Sequence, residues 1–334
     1  MKVIIPMAGM GKRLRPFTLN KPKPLLKING KTIVEHLLNN IQTISNEKIE
    51  EVGFVIGKFS SDIKEEIKNI AKRLNVKYKL FLQNIPLGTA HAIYMAEEIL
   101  EGKVIIAFAD TIFIAKQKLD TNNEAIIFTK KVQKPEQYGV VQLDKNNNIV
   151  NFVEKPKKFI SNLAIIGIYY FRQAQILRDK IKYLIDNNIM VKSEYQLTDA
   201  LDLLLKQGLK FKTYNTEHWL DCGNPKMLLN TNKTLLQLNH SYTTYNQATN
   251  SIIIPPNFIG KNVLIENSII GPFVNIEDNT TIKNSIIKNS IIYNASVIES
   301  SILENSIIGS KAFVVSASDK ILIGDYSKIY IDDN

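Results

Sequence analysis

The sequence predicts an α/β protein in two parts, an open sheet of mostly parallel strands followed by a parallel β-helix. Three observations carry that prediction. Short apolar runs alternate with helical patterns through the first two-thirds of the chain. A second texture, with aliphatic residues five or six positions apart, begins near Ser251. The length, 334 residues, is that of about two domains.

The runs KVIIP (2–6), EVGFVIG (51–57), VKYKLFLQ (76–83) and KVIIAFAD (103–110) read as strands, short and rich in β-branched and apolar residues. Between them, TIVEHLLNNIQTI from Thr32, SDIKEEIKNIAKRL from Ser61 and GTAHAIYMAEEIL from Gly88 put apolar residues three and four apart, the spacing that gives a helix one buried face. Such β-α-β alternation implies crossovers, hence parallel strands in a sheet covered on both faces. After Asp110 come EAIIFTKKV, GVVQLD, IVNFVEK and LAIIGIYYF, strand-like with few helical patterns, and then a helical YQLTDALDLLLKQG from Tyr195. The sheet is therefore expected to be mixed, with a hairpin-rich insertion able to wall off a second ligand. This first domain is expected to span 1–240.

From about Ser251, aliphatic residues return at Ile259, Ile265, Ile270, Ile276, Ile282, Ile287, Ile292, Ile298, Leu303, Ile308 and Val314. Related phrases recur between them: IENSII, IKNSII twice, and LENSII. A period near six with small or amide residues between aliphatics marks a parallel β-helix, in which each repeat forms one short side of a coil and the aliphatics stack inside. Antiparallel strands would instead alternate with period two. The second domain is placed at 251–334.

With 45% hydrophobic residues the chain can bury full cores, yet no window reaches the ~18 uninterrupted apolar residues of a membrane-spanning helix. Its opening, Met1-Lys2 followed by VIIPMAG, is too short and glycine-rich for a secretory signal. A cytoplasmic protein with no membrane partner is expected. One cysteine, Cys222, excludes an internal disulfide and reads as a small buried side chain in preference to a catalytic thiol. The formal charge of +10 would attract phosphate, but lysine supplies nearly all of it, spread without basic runs or interleaved aromatics, so no nucleic-acid partner is expected. Against that background arginine is informative. Arg13 and Arg15 fall close together, as a site wanting a planar, multidentate phosphate donor would require, although Arg15 by itself reads equally as surface.

Both arginines lie in AGMGKRLRPFTLNKPKPLLKINGK (8–31), directly after the first strand. Gly9 and Gly11 would let backbone N–H groups approach an anion closely. Two known phosphate loops nevertheless do not fit. A dinucleotide fingerprint needs a third glycine where Leu14 stands, and Pro16 would interrupt its helix; a Walker loop needs Ser or Thr after its lysine, and Arg13 follows Lys12. The signal is carried by the continuation through Arg13, Pro16, Thr18, Pro22, Lys23 and Pro24, where prolines stiffen a long cationic loop with no helix to hold it.

AGMGKRLRPFT…KPKPLL resembles the signature of the sugar-1-phosphate nucleotidyltransferases, the family of glucose-1-phosphate thymidylyltransferase, UDP-glucose pyrophosphorylase and mannose-1-phosphate guanylyltransferase. QNIPLGTAHA (83–92), FAD ending at Asp110, YGVV (138–141), FVEKP (152–156) and WLDCGNP (219–225) follow in the family's order, so six motifs in register cover nearly the whole chain. The resemblance implies a Rossmann-like mixed-sheet domain, and the C-terminal repeats resemble the left-handed β-helix that many members carry. It also implies a reaction, in which an oxygen of a sugar-1-phosphate attacks the α-phosphorus of a nucleoside triphosphate and pyrophosphate leaves. That nucleophile is already an anion near neutral pH, so catalysis must come from alignment and charge neutralisation.

By this resemblance the catalytic residues are Arg13 on the triphosphate and its developing charge, Lys23 on the α-phosphate, and Asp110 and Asp221, similar to the family's Mg²⁺ ligands. A hard cation bridging phosphates needs only one or two protein carboxylates. Ala8, Gly9, Gly11, Lys12, Arg13, Gln83, Gly88 and Thr89 would bind the nucleotide, Gln83 and Gly88 meeting the base. Gly139, Glu154, Lys155 and Gly167 would form the sugar-phosphate site, with Lys155 gripping the phosphate and Glu154 accepting sugar hydroxyls. Asp110 also ends an apolar strand, where the carboxyl end of a parallel sheet opens into a ligand crevice. Taken singly, either aspartate reads equally as a cap or turn residue.

Ala8 stands where the family often has a first glycine, Lys12 where threonine is common and FADT where GDN is common, so base preference does not transfer. Glucose-1-phosphate with dTTP or UTP is the expected substrate pair, and mannose-1-phosphate with GTP the alternative. A third reading is a non-catalytic scaffold, against which stands the joint presence of Arg13, Lys23, Asp110, Lys155 and Asp221. His91 reads as a packing or capping residue. Acyltransferases also use such coils, with a histidine base. His36, His91, His218 and His240 all precede Ser251, so the coil is expected to serve regulation or assembly of a homo-oligomer through its flat aliphatic sides.

Overall fold

The structure, a computed structural model, describes residues 1–9, 11–239 and 248–330; His240 lies outside them. By spatial contact the chain divides into two units that are not a simple cut in sequence. One comprises Met1–Gly9 and Val34–Trp219, the other Met10–Ile33 and Leu220–Asn334.

The first unit is built on a nine-stranded mixed sheet. Lys2–Pro6 lies parallel to Glu51–Ile56 on one side and to Val104–Ala107 on the other, and Lys77–Leu82 extends the sheet beyond Glu51–Ile56. Helices α1 (Ile33–Ile44), α2 (Ser61–Leu74) and α3 (Thr89–Tyr94) fall between these strands in sequence. The path runs outward through α1 and α2 to Lys77–Leu82, then returns through α3 to the opposite side of the first strand. Val104–Ala107 is wholly buried, as a central strand covered on both faces must be, and its sequence is accordingly uninterrupted Val-Ile-Ile-Ala. Leu163–Phe171 runs antiparallel to it and carries Ala125–Lys131 and the Gly139–Leu143 and Ile149–Glu154 hairpin. The mixed character expected from the sequence is therefore observed.

Amphipathic spacing accounts for the helices. In α2, Ile63, Ile67, Ile70 and Ala71 are buried, and Asn75 closes the helix in the left-handed conformation that asparagine tolerates. The helix expected from Gly88 to Leu100 ends at Tyr94 and gives way to a 3-10 turn, Glu97–Ile99. Ala96 and Ile99 donate to carbonyls three residues back, and Ala92, Ile93, Ala96, Ile99 and Leu100 all stay buried. Both helix types bring residues three apart to one face, so an apolar spacing cannot tell them apart. Two helices went unread in the sequence, α4 (Gln175–Asp186) and α6 (Pro225–Leu238). The second carries clear start signals: Pro225 in the first turn, and the Asn224 side chain accepting the Met227 N–H at 3.0 Å. The helix expected from Tyr195 is α5 (Leu197–Lys206). Among the described residues, no helix is long and apolar enough to cross a membrane.

In the second unit, residues from Ile252 onward wind into a left-handed parallel β-helix of three five-stranded sheets. Each aliphatic position read from the six-residue spacing, Ile259 through Val314, lies in its interior cluster. Stacked columns such as Ile259, Ile276, Ile292 and Ile308 fix the register. The recurrent Asn-Ser-Ile-Ile phrase forms two of the coil's corners, 267–270 and 284–287 leading into one sheet and 289–292 and 305–308 into the next. Asn267, Asn284, Asn289 and Asn305 take positive φ at the bend. Their amides form ladders between coils, Asn250 to Asn267 to Asn284 at 2.9 and 3.2 Å. The serines accept the backbone N–H one coil on, as Ser268 does from Ser285 at 3.1 Å. Of the two isoleucines, the second points inward.

Ile292 is fully buried within a column of like residues. Ile292→Ala is expected to cost about 2–5 kcal/mol of unfolding free energy, measured by urea denaturation of the full chain.

Candidate active site

The first unit's site forms where the strand order reverses. Ala8 and Gly9 follow Lys2–Pro6, and Asp110 follows the adjacent parallel strand, whose Ile106 sits beside Ile4. Connections leave these two strands in opposite directions, and the gap between them at the carboxyl edge is where open α/β sheets bind ligands. Gly57, at the same edge, is needed for close packing, since a Cβ there would lie 3.2 Å from the Ala8 carbonyl oxygen. At Gly9 the situation is reversed. A Cβ would meet nothing within 4 Å, and no left-handed φ demands glycine. Among the described residues nothing crowds Gly9, so there is room over it for close approach by a ligand.

Gln83 emerges at the same edge, its N–H bonded to the Ile56 carbonyl at 2.9 Å. Its buried amide donates to the Gly88 carbonyl at 3.4 Å and lies 2.9 Å from His91 Nδ1. Burial holds the His91 pKa below its ordinary value, so the neutral ring accepts the Gln83 amide proton. His91 also stacks on Tyr195 with ring centroids 6.5 Å apart. It packs as the sequence suggests, and in doing so it aims Gln83. Gly88 has φ +105°, with the Tyr195 carbonyl 2.5 Å from where a Cβ would sit. The Thr89 hydroxyl oxygen accepts the Leu197 N–H at 3.0 Å, which fastens the start of α5.

Glu154 and Gly139 face each other across the hairpin, and a Cβ at Gly139 would come within 2.8 Å of Glu154 Oε2. Gly167 has φ +81° where the register of Leu163–Phe171 shifts, and its carbonyl accepts the Phe108 N–H at 3.0 Å. Tyr169 is buried nearby. Its phenol is pushed far up, chiefly by burial and then by the charges of Glu154 and Asp110, so both carboxylates bear on one hydroxyl. Lys155 is exposed, has φ +44° and reaches Glu154 Oε1 at 4.0 Å. Positive φ is uncommon for a residue with a Cβ and marks a position fixed by its surroundings. Here the Lys155 N–H bonds the Tyr138 carbonyl at 3.1 Å.

The cationic loop belongs to the second unit. Gly11 has φ +57° and its carbonyl accepts the Thr18 hydroxyl at 2.8 Å, while Lys23 Cβ lies 3.3 Å from the position of an added Cβ. The loop has more to hold it than its prolines. Lys12–Leu14 and Lys23–Leu25 are 3-10 turns, and Leu14, Phe17, Leu25, Leu26 and Ile28 are buried. Lys12 and Arg13 are left at the surface. A Cβ on Gly223 would meet Asp221 Oδ1 at 2.8 Å and Arg13 Nη2 at 3.5 Å, so the carboxylate and the guanidinium both lie close to this glycine. Asp221 Oδ1 accepts the Gly223 N–H at 2.6 Å, and Thr231 of α6 holds the Asp221 carbonyl at 2.8 Å. Cys222, between them, is fully buried.

The expected residues thus fall into two sets. Ala8, Gly9, Gln83, Gly88, Thr89, Asp110, Gly139, Glu154, Lys155 and Gly167 lie in the first unit, and Gly11, Lys12, Arg13, Lys23 and Asp221 in the second. Sequence reasoning missed Tyr169 and the Gln83–His91 contact. Their signals were available as a tyrosine two residues past a strand glycine, and as an amide eight residues before a histidine on the next helix.

The Nucleotidyl transferase family model matches residues 2–238. The chain belongs to this family. Among its relatives, the bifunctional protein GlmU of Methanococcus maripaludis is 32% identical over 239 residues, covering 71% of this chain and 54% of the relative. The chain therefore spans about half the length of such relatives. Glucose-1-phosphate thymidylyltransferase of Streptomyces antibioticus is 27% identical, with 85% of each chain covered. The solved structure of a UDP-glucose pyrophosphorylase complexed with UDP-glucose superposes with a TM-score of 0.59 at 20% identity, covering 71% of this chain and 98% of that one, a likeness of fold.

Two glycines of this nucleotidyl transferase fold separate ligand space from packing. Gly9→Ala is expected to shift the melting temperature by no more than about 2 °C while weakening nucleoside triphosphate binding at least tenfold. Gly139→Ala, which must displace the Glu154 carboxylate, should leave nucleotide binding intact. Thermal melts and nucleotide titrations of both variants check the contrast.

Proposed function

We propose that the protein is a sugar-1-phosphate nucleotidyltransferase, joining the nucleoside monophosphate part of a triphosphate to a sugar-1-phosphate and releasing pyrophosphate. The observation that carries this reading is the exit of Ala8-Gly9 and of Asp110 from neighbouring parallel strands at the point where strand order reverses, with open space over Gly9. The substrates are glucose-1-phosphate with dTTP or UTP. The thymidylyltransferase similarity, which spans most of both chains, supports that choice. Residues 1–240 form the nucleotidyltransferase domain, and 251–334 the β-helix of a cytoplasmic homo-oligomer.

Ala8, Gly9, Gly11 and Lys12 bring backbone N–H groups and charge to the triphosphate, Gln83, Gly88 and Thr89 lie along the base, and Arg13 neutralises charge as pyrophosphate departs. Lys23 serves the α-phosphate. Gly139, Glu154 and Gly167 receive the sugar, and Lys155 its phosphate. Two polyanions repel one another, so cations on both are a physical requirement of the reaction.

Asp110 and Asp221 would hold Mg²⁺. The fit rests on donor chemistry. Both offer carboxylate oxygens suited to a hard cation. When bound, such an ion neutralises phosphate charge. Asp221 already has one oxygen engaged by the Gly223 N–H, which fixes its carboxylate plane.

A pyrophosphate-release assay across the four common triphosphates and glucose-, mannose- and N-acetylglucosamine-1-phosphate tests the reading. Turnover with at least one pair at millimolar Mg²⁺ is expected, and none with any pair would overturn it. Asp110→Asn should lower kcat by more than a hundredfold while nucleotide still binds. Lys155→Ala should mainly raise KM for the sugar-1-phosphate, tenfold or more, so steady-state kinetics on the two variants must differ in kind.

A further inference from the structure

One face of the β-helix differs from the other two. Along the sheet that starts at Asn257–Ile259, the outward column reads Phe258, Asn275, Ile291, Ile307, Leu322. Ile291 and Ile307 are fully buried, whereas the corresponding Ile286 and Ile302 of a neighbouring sheet are 43% and 58% exposed. The covering comes from the unit's own amino-terminal segment. Phe258 lies 2.3 Å from where a Cβ on Gly30 would sit, Phe17 stands 6.5 Å from the Tyr293 ring, and Pro16 lies 2.9 Å from the Cβ position of Gly324. The adjoining column reads Gly260, Glu277, Tyr293, Gly309, Gly324, and its last glycine leaves room for Pro16 of the segment.

Asn275 interrupts an otherwise apolar column, and it is completely buried. Its amide oxygen accepts the Gly30 N–H at 3.2 Å, and its amide nitrogen donates to Glu277 Oε1 at 3.1 Å. Glu277, whose side chain is 3% exposed, has Lys27 Nζ 3.3 Å from its other oxygen. Asn29, beside Gly30, donates to the buried Asn232 of α6 at 3.2 Å. Lys27 is 35% exposed, so the pair is buried on the Glu277 side only; such a pair gains little stability over apolar residues of similar volume, and the best-attested use of a buried one is to fix register. What this network registers is the turn that closes the loop bearing Arg13 and Lys23.

We propose that Asn275 and Glu277 are positioning residues for nucleotidyl transfer, by which the β-helix pins residues 27–32 and sets the cationic loop for phosphate. This rests on the proposed function. Neither residue touches substrate; both act through Lys27 and Gly30. The β-helix is then a working part of the phosphate-handling segment.

The test uses the full chain with Asn275→Leu/Glu277→Leu, of which the first continues the apolar column, and Glu277→Gln, which keeps one of the two acceptor oxygens. Hydrogen exchange of the Asn29 and Gly30 amides is read alongside kcat and KM. The double variant, which leaves the Gly30 N–H without its acceptor and Lys27 without its counter-ion, should melt below the wild-type temperature, exchange these amides at least tenfold faster and lose at least tenfold in kcat with KM changed less than threefold. Glu277→Gln, which keeps one of the two contacts, should fall between the wild-type protein and the double variant in both exchange and kcat. Should the double variant fail to fold, Lys27→Met applies the same test from the loop side, with the same expected changes. Unchanged exchange in a folded variant overturns the anchoring, and faster exchange with full kcat overturns its link to catalysis. Absence of turnover in the wild-type protein would overturn the nucleotidyltransferase reading itself, and is seen separately from the exchange result.

Discussion

Two parallel strands lie side by side, Lys2–Pro6 and Val104–Ala107, and the chain leaves them in opposite directions. Their ladder hydrogen bonds and fully buried side chains hold the glycine segment and Asp110 at one edge. A parallel pair cannot be joined by a tight turn, so α1 to α3 and two further strands must intervene, and these cover the sheet. The core is thus a by-product of the same topology that opens the ligand crevice. Gln83 reaches that edge because its strand is parallel to the others.

The second unit works by a different rule. Each coil contacts its neighbours at separations of 15 to 17 residues, as the side-chain ladders show, so the β-helix is stabilised by short-range repetition. The segment covering one face is bonded to it across 245 residues. Closing so long a loop costs entropy that only its finished contacts return, which makes the loop's fold contingent on the coil's. Phe17, whose ring lies 6.5 Å from that of Tyr293, provides an apolar part of that return. Asn275 and Glu277 decide where the polar part falls.

Much of this could be read from the chain before any coordinates. The strands around Lys2–Pro6 announce themselves because a doubly covered strand must be apolar throughout, and the coil because its interior admits aliphatics at one position per corner. The candidate site residues rest on motifs whose spacing is local. What escaped notice was long-range. That the loop at 11–33 is braced by buried side chains and a distant coil is invisible locally, since prolines and lysines look the same whether solvated or packed. The stop at Tyr94 was missed because α and 3-10 turns bury the same spacing. Asn275 looked like one more amide in an Asn-rich repeat, and only its column of Phe258, Ile291 and Ile307 shows it to be out of place.

A crystal structure of the full chain with Mn²⁺ and a non-hydrolysable analogue of the triphosphate that turns over tests the central claim most directly. Anomalous scattering should place the ion about 2.0–2.4 Å from a carboxylate oxygen of Asp110, with phosphate density over the Cα of Gly9. An ion and triphosphate bound away from both residues would contradict the account, whatever activity the protein displayed.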